Sequence, residues 1–168
     1  MSEIAYTHLH LHTEYSLLDG ANKIAKLAKA LKNQGVKSVA ITDHGNMFGA
    51  IDFYKQAYAN GIKPIIGCEL YVAPRSRFDK STTTIGETAR HLIVLVKNMQ
   101  GYKNLMKLTS AAHIEGFYYR PRVDKGLLKE CSQGLIASSA CLHGEIASHI
   151  VRGNMDEARK AAIEYRNI

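Results

Sequence analysis

Short β-rich runs alternate with helical stretches along almost the whole of this 168-residue chain. Residues 22–34, for example, carry apolar side chains at helical spacing, and a β-rich run at residues 36–42 follows directly. Strands and helices that alternate in this way form βα units, whose strands pair in parallel within a sheet or a barrel. The order therefore predicts an α/β fold with parallel strands.

The predicted elements are separated by glycines and polar turn residues. Strands are predicted at residues 5–12, 36–42, 64–72, 92–96 and 134–138. Helices are predicted at residues 22–34, 47–59, 100–113, 144–151 and 155–166. Residues 73–89 are polar and predict an exposed loop, and residues 116–123 predict a second loop that is basic and aromatic.

The composition, 46% hydrophobic and 22% charged, is that of an ordinary globular protein, and the length suits one domain. No apolar run is long enough to span a membrane, and no signal peptide is visible at the N-terminus. Three cysteines without a CxxC pair favour a reduced, cytoplasmic protein. The net charge of +7 suits an anionic partner such as nucleic acid, although charge alone is weak evidence.

Histidines are concentrated where the predicted strands lie or end. His8, His10 and His12 alternate in the first strand, so their side chains share one face. Two imidazoles at this spacing can reach one metal ion, and imidazole is the commonest metal ligand in proteins. His44 follows the second strand, the position at which α/β barrels build their sites. A turn explains its neighbours Asp43 and Gly45, but it does not explain a histidine.

Other donor side chains accompany later elements, and each has a simpler alternative. Glu69 lies in an apolar strand, where a carboxylate is costly to bury unless paired or metal-bound; a solvent-facing edge position is the alternative. Asp19 precedes a helix and can instead cap it. His91 opens an apolar run, and Cys141 follows the last strand as a thiolate ligand or a small buried residue. Together these donors predict a metal site.

Several stretches resemble the motifs of a known family. Residues 8–20 are similar to the first motif of the PHP (polymerase and histidinol phosphatase) domain carried by bacterial replicative polymerase alpha subunits. Residues 42–50 resemble its second motif, and residues 61–69, 76–79 and 115–118 also resemble this subfamily. The resemblance covers essentially the whole chain.

The resemblance implies a distorted (β/α)7 barrel that holds up to three metal ions at one mouth. Carried over residue by residue, it implies the metal ligands His10, His12, Asp19, His44, Glu69, His91 and Cys141. It implies catalytic roles for His10, His12, His44 and Glu69. It leaves His8 outside the cluster, although the alternation alone includes it.

The sequence departs from the family pattern at the last metal-binding motif. The family closes its cluster with an Asp-x-His pair on a late strand, and no such pair follows Cys141. Residues 1–168 are therefore expected to form a fragment of a PHP domain, a partial barrel without its last strands. Such a fragment is expected to hydrolyse DNA poorly and, through its open edges, to self-associate.

Clustered divalent metals activate water and clamp phosphate, which is the chemistry of phosphoester hydrolysis. Mixed histidine, carboxylate and cysteine donors suit zinc best, with manganese as the second candidate. The resemblance implies a DNA-directed DNA polymerase active in DNA replication, with a 3′–5′ exonuclease acting on the primer 3′ end. Its implied partners are DNA, the polymerase domains of the same subunit and other replisome subunits.

Two alternatives stay open for the function. The domain can be a non-catalytic module whose metals stabilise the fold and support the polymerase, or a free-standing PHP phosphatase. Residues 76–79 and 115–118 argue against the phosphatase. The basic loop at residues 116–123 can contact phosphates or stack a base, but packing against polymerase domains suits its charged, aromatic character better.

Overall fold

The computed structural model describes residues 6–81 and 88–168, and the elements named here belong to those ranges. The strands are β1 (Ser38–Ile41), β2 (Lys63–Val72), β3 (Arg90–Val96), β4 (Arg122–Val123) and β5 (Leu135–Ser138). The helices are α1 (Ile24–Asn33), α2 (Ala50–Ala59), α3 (Met99–Ile114), α4 (Lys125–Glu130), α5 (Glu145–Val151) and α6 (Met155–Arg166). The predicted α/β class is confirmed.

Strand β2 is the centre of the sheet because different parts of it pair with three other strands. Its first half runs parallel to β1, and its last residues run parallel to β4. Its second half runs antiparallel to β3, which is also antiparallel to β5. The alternation had predicted parallel pairing throughout. Between β2 and β3, the described residues 73–81 and 88–89 contain no helix, and residues 82–87 of the predicted loop lie outside the described residues. A direct antiparallel return needs no crossover helix.

The predicted strand at residues 5–12 is reduced to a single bridge among the described residues, and residue 5 lies outside them. His8 pairs with Val39, and its carbonyl accepts a hydrogen bond from the Ala40 N–H at 2.8 Å. Further along, the Leu11 N–H donates to the Thr42 side-chain hydroxyl at 2.8 Å. A side chain thus replaces the main-chain partner, which interrupts the ladder beside β1.

Two short elements were not predicted. β4 lies inside the predicted basic loop, and α4 begins two residues later, after Asp124. The Asp124 carboxylate accepts a hydrogen bond from the Leu127 N–H at 2.9 Å and so caps α4. The other helices and strands lie within a few residues of the predicted ranges. Across the described ranges, no helix combines the length and apolar character needed to cross a membrane.

Two apolar clusters hold the helices against the sheet and so fix the strand ends. One packs α1 and α2 on β1, where Ile24, Val39 and Phe53 are almost fully buried. The other packs α3 and α4 on β2 and β3, with Leu105 and other apolar residues at its centre. Each fully buried side chain of this size contributes roughly 1.5–3 kcal/mol.

Gly67 lies where β2 passes from one neighbouring strand to another. A Cβ atom at this position would come within 2.6 Å of the Val94 carbonyl oxygen and 3.1 Å of the Ile41 carbonyl oxygen. Main chain therefore approaches Gly67 from β3 on one side and from β1 on the other. Only glycine leaves room for this close approach.

Replacing Asp124 with alanine is expected to lower the free energy of unfolding by about 1–2 kcal/mol at neutral pH, the usual value of a helix cap. Burial opposes ionisation of Asp124, but hydrogen bonds from Arg77 and the Leu127 N–H outweigh it and lower its pKa. A lowered pKa stabilises the fold above the unfolded value of about 3.9, and this stability is lost as pH falls through the folded pKa. Urea unfolding at several pH values measures the difference.

The exposed Asp156, in the first turn of α6, offers a control. Asp156→Ala is expected to change the unfolding free energy by less than Asp124→Ala at neutral pH. A difference between wild type and Asp124→Ala that stays constant from pH 7 to pH 2 would contradict the proposed role of the ionised carboxylate.

Candidate metal centre

Glu69 is buried in β2, with 1% of its surface exposed, and histidines surround both of its carboxylate oxygens. Oε2 lies 2.5 Å from Nε2 of His10 and 3.3 Å from Nε2 of His12. Oε1 contacts Nδ1 of His91 and lies 3.6 Å from Nδ1 of His44. The carboxylate faces its neighbours and not solvent, and it joins three separate parts of the chain.

The charge state of Glu69 follows from these contacts. Burial opposes its ionisation, but the hydrogen bond with His10 and the close contacts of His12 and His91 outweigh burial and hold the carboxyl pKa well below its ordinary value. Burial also lowers the pKa of His12, yet the hydrogen bond and charge of Glu69 outweigh this effect and raise it. The centre therefore contains a fixed negative charge among titratable imidazoles.

A second group of donors lies on the other side of Glu69. Sγ of Cys141 lies 3.5 Å from Nδ1 of His91 and 3.7 Å from Nδ1 of His143. The ligand atoms of these three residues all lie within 4.8 Å of one another. The same limit holds for the group formed by His10, His12 and Glu69. Glu69 thus lies in one group and contacts the other.

The antiparallel pairing of β2 and β3 explains why His91 reaches the centre although it lies at the start of its strand. His91 is opposite Tyr71, near the end of β2. The first residues of β3 and the last residues of β2 therefore share one edge of the sheet. A parallel β3 would have carried its first residue to the opposite edge.

Asp19 and His44 form a third contact, with 3.0 Å between Oδ2 of Asp19 and Nε2 of His44. The His44 ring stacks on that of His12, with 4.1 Å between centroids. The alternative role of Asp19 as a helix cap is not observed, because α1 has Lys23 at its N-cap position and no side-chain cap. Asp19 therefore points its carboxylate towards the histidines.

Asp43 organises the loop that carries His12 and Asp19. Its buried carboxylate accepts hydrogen bonds from the Thr13 N–H at 2.6 Å, the Thr13 hydroxyl at 2.7 Å and the Ser16 hydroxyl at 2.7 Å. Oγ of Ser16 lies 3.2 Å from Nδ1 of His12. Asp43 thus orients the His12 ring through Ser16. The residue type alone had indicated only a turn.

A cavity of about 300 Å³ opens beside the centre. It is lined by predicted ligands, by an arginine of the predicted basic loop and by further residues: Leu18, Asp19, His44, Tyr71, Thr88, Ala89, His91, Arg120 and His143. Burial raises the pKa of Tyr71 to about 12, so the phenol stays neutral. The Cys141-x-His143 spacing, which repeats that of His10 and His12, is the signal that could have identified His143.

All the predicted ligands lie around Glu69 or beside this cavity, whereas His8 has a different environment. The His8 ring packs edge-on against Tyr6, with 4.8 Å between centroids, and its main chain pairs with Val39. The described contacts thus place His8 beside β1 and not among the donors.

The donor set fits a divalent metal ion. Nε2 of His10 and Nε2 of His12 lie only 3.0 Å apart beside the same carboxylate oxygen. Nδ1 of His44 is buried and has no hydrogen-bond partner among the residues that the structure describes. Ring nitrogens that converge on a carboxylate, with a thiol nearby, are donors typical of zinc and related metals.

The fold and the centre together define a mixed α/β domain with a histidine-rich site at one edge of its sheet. Residues 8–168 match the PHP domain family, and the chain belongs to this family. The family predicted from the motifs is therefore confirmed.

DNA polymerase III subunit alpha of Treponema pallidum is 53% identical to this chain over 166 residues, which are 99% of the chain and 14% of that protein. The subunit of the same name from Helicobacter pylori (strain 26695) is 55% identical over an alignment 174 residues long, which covers 98% of this chain and 14% of that protein. The chain thus spans 14% of the length of these curated relatives. A solved amidohydrolase from Chromobacterium violaceum is 20% identical, with a TM-score of 0.46, over 64% of this chain and 33% of that one.

Proposed function

We propose that this chain is the PHP domain of a bacterial replicative DNA polymerase alpha subunit and acts as a metal-dependent 3′–5′ exonuclease on the primer end. The observation that carries this proposal is Glu69, which is buried, belongs to one group of metal donors and contacts the other. Identity above 50% to DNA polymerase III alpha subunits across nearly the whole chain supports the replicative setting over a free-standing phosphatase. The cytoplasm, where the chromosome is copied, is the expected location.

Each donor group has a proposed part in holding metal. His10, His12 and one oxygen of Glu69 would hold one ion, and His91, Cys141 and the other oxygen a second. Asp19 and His44 would complete the set. Divalent metals bound here would supply Lewis acidity, which makes water a better nucleophile and offsets phosphate charge. Zinc is the first candidate and manganese the second.

The chain's own residues would prepare this chemistry. The low pKa of Glu69 keeps its carboxylate ionised at neutral pH, when an anionic ligand is required. Ser16, itself held by Asp43, would fix the ring of His12 and leave Nε2 directed at the centre. The cavity, at about 300 Å³, has the size of a small-ligand site and suits one terminal nucleotide.

A DNA degradation assay tests the proposal. With manganese or zinc, the chain is expected to shorten a 5′-labelled single-stranded oligonucleotide from its 3′ end, slowly and with no activity in EDTA. His10→Ala is expected to lower this rate by about 100-fold or more, because it removes a proposed metal ligand. His8→Ala is the matched control, since His8 alternates with His10 but lies outside the centre.

Equal rates for His8→Ala and His10→Ala would contradict the assignment of the site. Stoichiometric metal without any hydrolysis would favour the second candidate function, a structural module that supports the polymerase. The contact of Glu69 with the segments carrying His10 and His91 favours that candidate, because metal there would tie separate parts of the fold together. Thermal unfolding with and without EDTA measures such stabilisation.

A further inference from the structure

The turn before β4 brings a permanent positive charge to the cavity beside the metal centre. Among the described residues that line this cavity, Arg120 is the one lysine or arginine. The same cavity contains the carboxylate of Asp19 and lies next to the buried carboxylate of Glu69. An anionic substrate entering here would meet Arg120 as the one permanently charged cation among these described lining residues.

The main chain holds Arg120 in a tight turn. Tyr118 and Arg120 form a bridge in which the Tyr118 N–H donates to the Arg120 carbonyl at 3.0 Å. Between them, Tyr119 has a φ of 58°, in the left-handed region that a bulky residue rarely adopts. Such a conformation persists only where the surrounding structure fixes it, and it is concentrated at functional sites.

The buried side chain of Arg122 stabilises one side of this turn. This side chain is 1% exposed, and its guanidinium faces main-chain carbonyls. It donates hydrogen bonds, at 2.9–3.3 Å, to the carbonyls of Arg77, Asp79, Thr88 and Gly116. The two arginines of the basic loop therefore differ: Arg122 is a buried anchor, whereas Arg120 faces the cavity.

Pro121 and Tyr71 fix the turn from the other side. A Cβ atom on Gly45 would lie 2.7 Å from Cγ of Pro121 and 3.2 Å from the Tyr71 ring. Pro121, which follows Arg120, and Tyr71 therefore both pack against the main chain at Gly45. The Arg120 guanidinium lies 5.6 Å from the centroid of the Tyr71 ring. A cation held over an aromatic face keeps its N–H donors at the edge, where they remain available to an anion.

We propose that Arg120 binds the phosphate of the terminal nucleotide, with Tyr71 holding its guanidinium in place. The guanidinium can donate two parallel hydrogen bonds to one phosphate, which a compact ammonium cannot do as well. The choice of a nucleotide as substrate rests on the proposed function, whereas phosphate binding by Arg120 rests on the geometry of the turn and cavity. The loop thus has a role beyond packing against other domains.

Titration calorimetry with thymidine 5′-monophosphate, the product that a 3′–5′ exonuclease would release, tests this role. Arg120→Ala in the metal-treated chain is expected to weaken binding about tenfold or more, as expected for loss of a charge-assisted hydrogen bond. Arg120→Lys is expected to restore only part of the affinity. The control is Arg159→Ala, an exposed arginine on α6 that does not line the cavity.

The outcomes separate this inference from the proposed function. Equal affinity of wild type and Arg120→Ala, or no nucleotide binding by wild type, would overturn the role of Arg120. Metal content, measured on every variant by mass spectrometry, tests the proposed function on its own. Should Arg120→Ala unfold, as judged by circular dichroism, Arg120→Gln keeps a shorter polar side chain without the charge and decides the question.

Discussion

Glu69→Gln is expected to remove bound metal from this domain almost completely. The substitution keeps the size of the side chain but replaces an ionised carboxylate that contacts both donor groups. Losing a partner that merely supports a metal ligand lowers metal affinity by about 10–100-fold, so losing a proposed ligand that contacts both donor groups should lower it by about 100-fold or more. Mass spectrometry of metal content after dialysis against zinc or manganese measures the effect.

Glu130→Gln is the matched control, because Glu130 is an exposed residue at the end of α4. It is expected to retain the metal content of wild type. Competition with a coloured chelator then gives the affinities of the variants that still bind metal. Full metal occupancy in Glu69→Gln would show that this carboxylate is not a shared ligand.

Asp43→Ala is expected to destabilise the fold by about 3 kcal/mol or more and also to weaken metal binding. Asp43 is 1% exposed, and its removal leaves the Thr13 N–H and the hydroxyls of Thr13 and Ser16 without their acceptor. Each buried donor left unsatisfied costs roughly 1–3 kcal/mol. The His12 ring loses its support at the same time, which should lower metal affinity by about 10–100-fold.

Urea unfolding of the metal-free protein isolates the effect on stability, and chelator competition measures the effect on metal affinity. Asp43→Asn separates charge from shape, because the amide oxygen can still accept two of these hydrogen bonds, whereas the amide NH2 group cannot accept the third. It is expected to lie between wild type and Asp43→Ala. If Asp43→Ala unfolds as wild type does, the network does not hold the loop.

The sequence predicted the fold where a local pattern determines an element. The helical spacing of α1 and the apolar run of β3 are such patterns, since burial on one face selects the side chains directly. The direction of β3 could not be predicted in this way. A buried strand has the same composition in either direction, and only its partner across the sheet determines which end carries the site.

The candidate site also contains residues that a local pattern predicts and residues that only the fold reveals. The alternation of histidines predicted a donor face, and the family resemblance selected His10 and His12 within it. Glu69 was predicted because a carboxylate is unusual in an apolar strand. His143 and Arg120 lie in loops, where histidine and arginine are ordinary residues, and only the fold shows what they face. The residue type of Asp43 predicts only a turn, because its three hydrogen bonds depend on a segment about 30 residues away.

Gly67 limits the distance between the two groups of candidate metal ligands. The candidate ligands His12 and His44 depend on the β1 side of β2, whereas His91 and Cys141 depend on the β3 side. A side chain at Gly67 would push against main-chain carbonyls of both sides at once. A side chain at position 67 would therefore leave every donor residue in the sequence. It would increase the distance between the donors on the β1 side and those on the β3 side. Two domains with identical ligands could thus differ in the spacing of their ions because of one residue that binds none.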